Sequence, residues 1–345
     1  MRYRKLANTD LDVSVICLGT MTFGQQNTEA EGHEQLDYAI SKGINFIDTA
    51  EMYSVPGRAE TYGSTERIIG SWLKKSGQRK NIILASKVTG PSPAFKHISS
   101  NLGFSKNRIK EAIEGSFHRL GTDYIDIYQM HWPERKTNFF GQLGYVQHDD
   151  QWQDNFEEAI STMNELVTEG KIRHWGLSNE TGWGVMRSCF VADQNKWPRP
   201  ASIQNPYNLL NRSYEVALSE VSLRENISLL AYSPMGFGLL SGKFHKKLDT
   251  PQDRINQFKN LARYNSPKSH EATTMYILIA EGAGLTPAQL ALAFVNDRPF
   301  VTSNIIGATN MTQLKENIGS VDITLTKDVL DQIDLVHKEI SNPAP

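Results

Sequence analysis

Four side chains that can carry or transfer a proton lie in or just after short apolar runs of the sequence. Asp48 belongs to the run FIDTA, Tyr53 lies five residues further on, Lys87 lies in IILASKV, and His131 follows DIYQM. A lysine within an apolar strand is unfavourable unless a negative charge pairs with it. Asp48, on the neighbouring predicted strand, is the natural partner, so we expect a Lys87–Asp48 ion pair.

A cation next to a phenol stabilises the phenolate form. Lys87 beside Tyr53 would therefore lower the pKa of the tyrosine from about 10 towards neutrality and make it a general acid at physiological pH. We expect His131 to donate a hydrogen bond to a substrate oxygen. The four residues together predict protonation of an oxyanion, not cleavage by a nucleophile.

The elements that would position these side chains alternate along the chain. The short apolar runs are residues 15–19, 46–50, 82–88, 126–130, 202–207, 227–233 and 304–308, and 174–179 is a weaker eighth. Near-continuous apolar runs of this length are typical of a parallel sheet that is covered on both faces. Amphipathic spacing between the runs predicts helices, including one over 105–120 and one over 154–169.

Three helix starts have sequence signals. Ser105 is a plausible N-cap for the helix that follows it, and Asp154 with a glutamate three residues later resembles a capping box. Thr286 followed by proline predicts an N-cap with proline at the first helical position.

Eight strands alternating with helices fit either a (β/α)8 barrel or a doubly wound sheet. The segment GTMTFG at 19–24 does not have the spacing of a dinucleotide-binding glycine fingerprint. Polar side chains follow many of the predicted strands, and barrel enzymes place their active sites at the carboxyl ends of their strands. We therefore predict an α/β fold, a (β/α)8 TIM barrel, as a single domain over residues 1–345.

Composition excludes several classes of partner. Lys plus Arg is 36 and Asp plus Glu is 38, which gives a net charge of −2 and no electrostatic reason to expect nucleic acid or an anionic membrane. Two cysteines, Cys17 and Cys189, predict a reducing, cytoplasmic compartment. No run approaches the roughly 18 apolar residues that span a bilayer.

Two long intervals, roughly 133–153 and 235–270, are expected to be functional, because long ordered connections in a compact domain usually are. We expect an apolar substrate pocket. Its candidate residues are Phe23, Met52, Trp132, Phe139, Phe140 and Trp152.

Further polar residues suit a nicotinamide dinucleotide. The side chains of Ser178, Asn179 and Gln204 suit a carboxamide, and Tyr232 offers an aromatic face. The segment 306–318 joins a strand to a helix N-terminus, which favours phosphate. Lys243 and Arg254 are candidates for an additional phosphate.

The sequence resembles the aldo-keto reductase family from end to end. The matching segments are GTMTFG, FIDTAEMY, STERIIGSWL, ASKVTGPS, DIYQMHWP, GLSNET, IQNPYNLLNRSYE, LLAYSPMGFGLLSGK and GATNMTQLKENI. The resemblance implies a barrel closed at its base by a hairpin over roughly residues 2–15. It also implies NADPH bound without a Rossmann fold, and a catalytic tetrad of Asp48, Tyr53, Lys87 and His131.

The resemblance also implies a set of NADPH contacts. These fall on Gly19, Thr20, Met21, Asp48, Ser178, Asn179, Gln204, Tyr232, Ser233, Met235, Gly236, Leu239, Gly242, Lys243, Arg254, Gly307, Thr309, Gln313, Glu316 and Asn317. The last six of these from Arg254 onward match the adenine and 2′-phosphate side.

The function implied is NADPH-dependent reduction of a small-molecule carbonyl to an alcohol, with Tyr53 as the general acid. One alternative is a nicotinamide-binding regulatory subunit with little turnover. Another is a metal-dependent barrel hydrolase, but His131 is the one convincing strand-end histidine, so we predict no metal site. The sequence leaves the physiological substrate and the oligomeric state open.

Overall fold

The computed structural model of the protein describes residues 1–257 and 263–345. Within them eight parallel strands close into a barrel, in which the last strand is hydrogen-bonded to both the seventh and the first. The barrel strands are β3 (Ile16–Gly19), β4 (Phe46–Asp48), β5 (Ile83–Val88), β6 (Ile125–Met130), β7 (Ile172–Ser178), β8 (Ser202–Pro206), β9 (Ser228–Tyr232) and β10 (Val301–Ile306). The predicted TIM barrel is confirmed.

Helices cover the outside of the barrel. They are α1 (Glu29–Ser41), α2 (Ser64–Ser76), α3 (Lys106–Leu120), α4 (Phe156–Thr168), α5 (Gly182–Asn195), α6 (Leu218–Glu225), α7 (Arg254–Gln257), α8 (Pro267–Gly282), α9 (Pro287–Asn296), α10 (Met311–Gly319) and α11 (Lys327–Glu339). The main hydrophobic core lies between these helices and the strands.

The hairpin that precedes the barrel closes its base. Strands β1 (Tyr3–Lys5) and β2 (Asp12–Ser14) pair antiparallel, as predicted. Leu6, Leu11 and Val13 of this hairpin pack with inward-facing strand residues such as Phe46 and Leu230 in a separate apolar cluster. The hairpin therefore completes the interior packing of the barrel.

The predicted helix starts have different outcomes. Helix α3 begins after Ser105, and Thr286 forms a full capping box at the start of α9. The prediction for Asp154 was wrong, because α4 begins two residues later with Asn155 as its N-cap. Asp154 instead accepts a hydrogen bond from the Phe156 N–H at 3.1 Å.

The weak eighth strand is present as β7. Its sequence signal is weak because its first half carries polar residues. Arg173 and His174 both pair with Asp10 of the hairpin, with His174 Nε2 at 3.0 Å from an Asp10 oxygen. Electrostatic contacts at the base of the barrel thus replace the apolar burial that usually identifies a strand.

The two long connections differ in structure. Between β6 and α4 no regular element is present, whereas the connection after β9 contains a 3₁₀ helix, Gly236–Ser241, and α7. The part of that second interval at 258–262 lies outside the described residues. Among the described residues, no single helix is long and apolar enough to cross a membrane, and α8 and α9, bent by 92°, meet that criterion only as a pair.

Candidate active site

The predicted ion pair lies inside the barrel at the carboxyl ends of β4 and β5. Lys87 Nζ is 2.9 Å and 2.7 Å from the two carboxylate oxygens of Asp48 and donates a third hydrogen bond, of 2.7 Å, to the Thr49 carbonyl. Lys87 is fully buried and Asp48 nearly so. Burial acts to lower the pKa of Lys87, but the acidic groups around it, the Asp48 carboxylate foremost, together outweigh burial and the pKa is raised, so the amine stays charged.

Tyr53 and His131 lie beside this pair. The Lys87 Nζ is 5.0 Å from the centre of the Tyr53 ring, and the ring centres of Tyr53 and His131 are 5.8 Å apart. The Tyr53 N–H donates to the Ala50 carbonyl at 3.1 Å in the loop after β4. The structure therefore brings together four residues that span 83 positions of sequence.

The prediction that Lys87 brings the pKa of Tyr53 down towards neutrality was wrong. Burial disfavours the phenolate more than the Lys87 charge favours it, and the Asp48 charge adds to the burial effect, so the pKa of Tyr53 is raised. The phenol is consequently protonated at neutral pH. A protonated phenol beside a fixed ammonium group is a proton donor whose charged product is stabilised as it forms.

His131 is a neutral imidazole. Burial, assisted by the Lys87 charge, holds the pKa of His131 well below its usual value. Its Nδ1 is buried and has no hydrogen-bond partner among the described residues. A neutral imidazole offers one N–H donor and one acceptor nitrogen, so His131 is suited to polarise an oxygen without carrying a charge.

Polar residues at the ends of β7 and β8 join the same network. Gln204 Nε2 donates to Asp48 Oδ1 at 2.8 Å, and Ser178 Oγ donates to the Gln204 carbonyl at 2.9 Å. Asn179 Nδ2 donates to the His131 carbonyl at 2.9 Å. Because the Gln204 N–H group is used internally, its Oε1 is the amide atom available to a carboxamide N–H.

Tyr232, at the end of β9, faces the same mouth of the barrel. Its hydroxyl donates to Asn179 Oδ1 at 2.6 Å, and burial raises the pKa of this phenol to about 12. Asn179 has a φ of 54°, in the left-handed region that asparagine tolerates better than most residues. This backbone conformation and the Tyr232 hydrogen bond fix the orientation of the Asn179 amide.

Two cations follow β9, in different environments. Lys243 forms an ion pair with Asp253. Arg254 has no carboxylate within 4.0 Å among the described residues, and burial lowers its pKa. A Cβ placed on Gly307 would lie 3.4 Å from Arg254 Nη2, so the guanidinium lies against the end of β10. Arg254 is therefore a desolvated cation at the barrel mouth, with no neutralising carboxylate in the described ranges.

The backbone after β9 turns repeatedly through left-handed conformations. Ser233, Gly236 and Gly242 have φ values of 55°, 52° and 77°. Leu239 is fully buried and Met235 packs against the main core. Any contact of Leu239 with a ligand would therefore be made by its backbone.

The segment between β10 and α10 is held by side-chain amides. Both the Thr309 N–H and its hydroxyl donate to Gln313 Oε1, at 3.0 Å and 3.1 Å, and Asn317 Nδ2 donates to the Gly307 carbonyl at 3.1 Å. Glu316 accepts a 2.6 Å hydrogen bond from Thr286 of the α9 N-cap. These bonds fix the loop that leads into the N-terminus of α10.

The residues after β3 support Asp48. The Thr20 N–H and hydroxyl donate to the Asp48 carbonyl at 3.2 Å and 2.8 Å, and Met21 accepts at 3.0 Å from the Val55 N–H. A Cβ on Gly19 would lie 2.7 Å from Ile305, so a larger residue would push β3 away from β10.

A cluster of apolar side chains adjoins Tyr53. Met52, Trp132 and Phe139 of the predicted set cluster there, and Phe140 contacts Trp132 with ring centres 5.9 Å apart. The Trp132 and His131 ring centres are 4.8 Å apart. The cluster also contains Val55, Phe95 and Ile98, which sequence reasoning missed because no strand end or motif marks them.

Two predicted pocket residues lie elsewhere. Phe23 is fully buried in the main core beside α1 and α2, since a Cβ added to Gly32 of α1 would lie 3.1 Å from both Phe23 and Ile68 of α2. Trp152 packs on Phe156 and Trp183, with ring centres 5.9 Å and 6.4 Å away, and it lines a small cavity together with Trp132. Both side chains therefore pack mainly against residues of helices and not beside Tyr53 at the mouth of the barrel.

Residues 1–257 and 263–345 contain no group of three or more His, Cys, Asp or Glu residues that is suited to hold a metal ion. The polar groups at the mouth are instead one ion pair, a phenol, an imidazole, side-chain amides and a desolvated guanidinium. These groups are suited to proton transfer and to binding a carboxamide and a phosphate.

Comparison with known proteins assigns the sequence to a family. The sequence model described as the aldo/keto reductase family matches residues 15–338. The protein tas of Escherichia coli (strain K12) is 48% identical over 346 aligned residues, which cover 100% of both chains. The uncharacterized oxidoreductase YrpG of Bacillus subtilis (strain 168) is 33% identical, covering 96% of this chain and 94% of that one. A probable voltage-gated potassium channel subunit beta of Arabidopsis thaliana is 30% identical, covering 97% and 96%.

Proposed function

Since the chain belongs to the aldo/keto reductase family, we propose that it reduces aldehydes and ketones to alcohols with NADPH. The observation that carries this proposal is the fully buried Lys87–Asp48 pair with the Tyr53 ring 5.0 Å from the Lys87 Nζ. A charged amine has no reason to be buried there for packing alone, because an apolar residue of similar size would avoid the desolvation cost.

The chain's own residues suit a dinucleotide. Gln204 Oε1 and the hydroxyl of Ser178 would hold the carboxamide, and Tyr232 would lie against the nicotinamide ring. The N-terminus of α10, preceded by Gly307, would receive a phosphate. NADPH, when bound, supplies the hydride for the reduction.

Arg254 supports NADPH over NADH as the cofactor. It is a desolvated guanidinium without a carboxylate partner among the residues described, and a phosphate would supply the missing negative charge. Lys243 is less suited to this role, because Asp253 already neutralises it.

Tyr53 would donate the proton to the oxygen of the substrate carbonyl. Its raised pKa keeps the proton on the phenol until negative charge develops on that oxygen, and Lys87 then stabilises the phenolate. His131, neutral and adjacent, would donate a hydrogen bond to the same oxygen and orient the carbonyl. Removing one such donor costs roughly 3–4 kcal/mol of barrier stabilisation in enzymes that bind an oxyanion.

The substrate side is apolar. The apolar side chains that cluster beside Tyr53 are Met52, Val55, Phe95, Trp132 and Phe139. Such a surface would favour aromatic or long aliphatic carbonyl compounds over small charged ones.

The test is NADPH oxidation by the purified protein, measured against a panel of aromatic, aliphatic and charged aldehydes and ketones. We expect turnover with the apolar members of the panel. Tight NADPH binding without turnover of any carbonyl would contradict the proposal and favour a nicotinamide-binding regulatory subunit. The absence of NADPH binding would contradict both.

A further inference from the structure

A buried carboxylate lies in the loop that carries Tyr53. Glu51 follows Asp48 by three residues and precedes Tyr53 by two, and it is 2% exposed. It takes no part in the proton transfer described above. The two groups that lie closest to its carboxylate oxygens both come from outside this loop. The Thr89 N–H, just past β5, donates to Oε2 at 3.0 Å, and Arg108 of α3 forms an ion pair with Oε1.

Arg108 is equally buried, at 2% exposure. Its other acidic neighbour within 4.0 Å in the described ranges is Glu111, at 3.7 Å, whose side chain is 62% exposed. Glu51 is therefore the main counter-charge of Arg108. Removing one partner of such a buried pair leaves an uncompensated charge, so the pair constrains both segments strongly.

The pair links the loop of Tyr53 to the strand of Lys87. Thr89 continues β5, two residues after Lys87, and α3 packs against β5. The Glu51 N–H also donates to the Lys87 carbonyl, at 3.2 Å. The backbone and the side chain of Glu51 thus attach the loop to the strand on which the Lys87 amine is mounted.

From this geometry we propose that Glu51 and Arg108 are positioning residues, which hold the Tyr53 phenol over the Lys87 amine. The inference rests on the proposed reductase function, in which the separation of phenol and amine sets the rate of proton transfer. A displacement of about 1 Å at a reacting group can cost roughly 100-fold in rate. The pair therefore contributes to catalysis through geometry, without touching substrate or cofactor.

The test uses Glu51→Gln, which keeps the size of the side chain and removes its charge. We expect kcat for carbonyl reduction to fall about 10–100-fold while KM for the carbonyl and Kd for NADPH change less than about twofold. We also expect faster amide hydrogen exchange in the segment 49–55, because the loop loses its outward anchor.

Asp126→Asn is the matched control. Asp126 is 1% exposed, pairs with Arg79 at 2.9 Å, and accepts from the Leu84 N–H of β5 at 3.0 Å, but it lies at the opposite end of the barrel. We expect this variant to lose stability and to keep both kcat and the exchange rate of 49–55. If Glu51→Gln does not fold, Arg108→Lys, which keeps the charge and loses the reach of the guanidinium, is expected to show the same pattern.

Three results would overturn the inference. The first is an unchanged kcat together with unchanged amide hydrogen exchange in 49–55 in Glu51→Gln. The second is an equal fall in kcat in Asp126→Asn. The third is an effect of Glu51→Gln on KM alone. If the wild-type protein reduces no carbonyl, the proposed function fails by itself. The exchange rate of 49–55 then still decides whether Glu51 orders the loop.

Discussion

Lys87 keeps its positive charge inside the barrel because Asp48 and the Thr49 carbonyl accept its hydrogen bonds within 2.9 Å. This charge acts to lower the pKa values of two neighbours. It favours the phenolate of Tyr53, although burial still raises the pKa of that phenol, and it adds to the burial that lowers the pKa of His131. Burial therefore leaves a protonated phenol and, with the help of this cation, a neutral imidazole side by side at neutral pH.

Tyr53→Phe is expected to keep NADPH affinity within about twofold and to lower the rate of carbonyl reduction about 100-fold or more, because it removes only the hydroxyl that carries the transferable proton. NADPH titration and steady-state kinetics check this. Tyr276→Phe is the control, since the Tyr276 hydroxyl is buried on α8, donates to the Leu209 carbonyl at 3.1 Å and is not one of the candidate active-site groups. Equal activity in Tyr53→Phe and the wild-type protein would exclude Tyr53 as the acid.

The pH profile of reduction follows from the same pKa shifts. Because the pKa of Tyr53 is raised above its ordinary value of about 10, kcat should stay level through neutral pH and fall only at strongly alkaline pH, where the phenol loses its proton. His131, whose pKa is lowered well below its usual value, should add no transition near pH 6.5. A rise in kcat with a midpoint in that region would show that His131 titrates there.

In the proposed function, different connections at the carboxyl ends of the strands bind the cofactor and the substrate. The loop after β9 contributes Arg254, and the loop after β6 contributes Trp132 and Phe139. Because parallel strands end at the same rim, segments distant in the chain face one another across the mouth.

Arg254→Ala is expected to weaken NADPH binding about 10–100-fold, the equivalent of losing one charged hydrogen bond worth about 1.5–3 kcal/mol. NADH binding should change less than about twofold, because NADH lacks the 2′-phosphate. Fluorescence titration with both dinucleotides measures the two constants. Arg224→Ala, which removes an exposed arginine paired with Glu220 on α6, controls for net charge. An equal loss for both dinucleotides would show that Arg254 does not recognise the 2′-phosphate.

Residues that stabilise the barrel and residues of the candidate active site lie at opposite ends of the barrel axis. At the base, the hairpin inserts Leu6 among the inward-facing strand residues, and Asp10 pairs with Arg173 and His174. The four residues of the candidate active site lie at the other end, at the mouth. Changes at the base should therefore alter the free energy of unfolding with little effect on the active site.

Leu6→Ala is expected to lower the free energy of unfolding by about 2–5 kcal/mol, because Leu6 is fully buried and its truncation leaves a cavity under the barrel. Urea denaturation measures this change, and NADPH affinity below the transition should match that of the wild-type protein. Leu335→Ala, at a leucine that is 63% exposed on α11, should change stability by less than about 0.5 kcal/mol. A comparable loss in both variants would contradict the closing role of the hairpin.

Much of this protein was predictable from the order of its residues. Apolar runs and helical spacing are local signals, and their alternation predicts a barrel whose strand ends gather Asp48, Tyr53, Lys87 and His131. The pairing of Lys87 with Asp48 also follows from sequence, because a lysine in an apolar strand needs a counter-charge.

Quantities that depend on how distant surfaces pack were not predictable in this way. The direction in which the pKa of Tyr53 shifts depends on how much protein surrounds the phenol, which residue spacing in the sequence does not encode. Three further contacts join segments that share no local sequence pattern. They are the burial of Phe23 between helices, the packing of Phe95 in the cluster beside Tyr53, and the pairing of Glu51 with Arg108. Periodicity specifies which face of an element is buried, whereas the partner against which it is buried is set by the closure of the barrel.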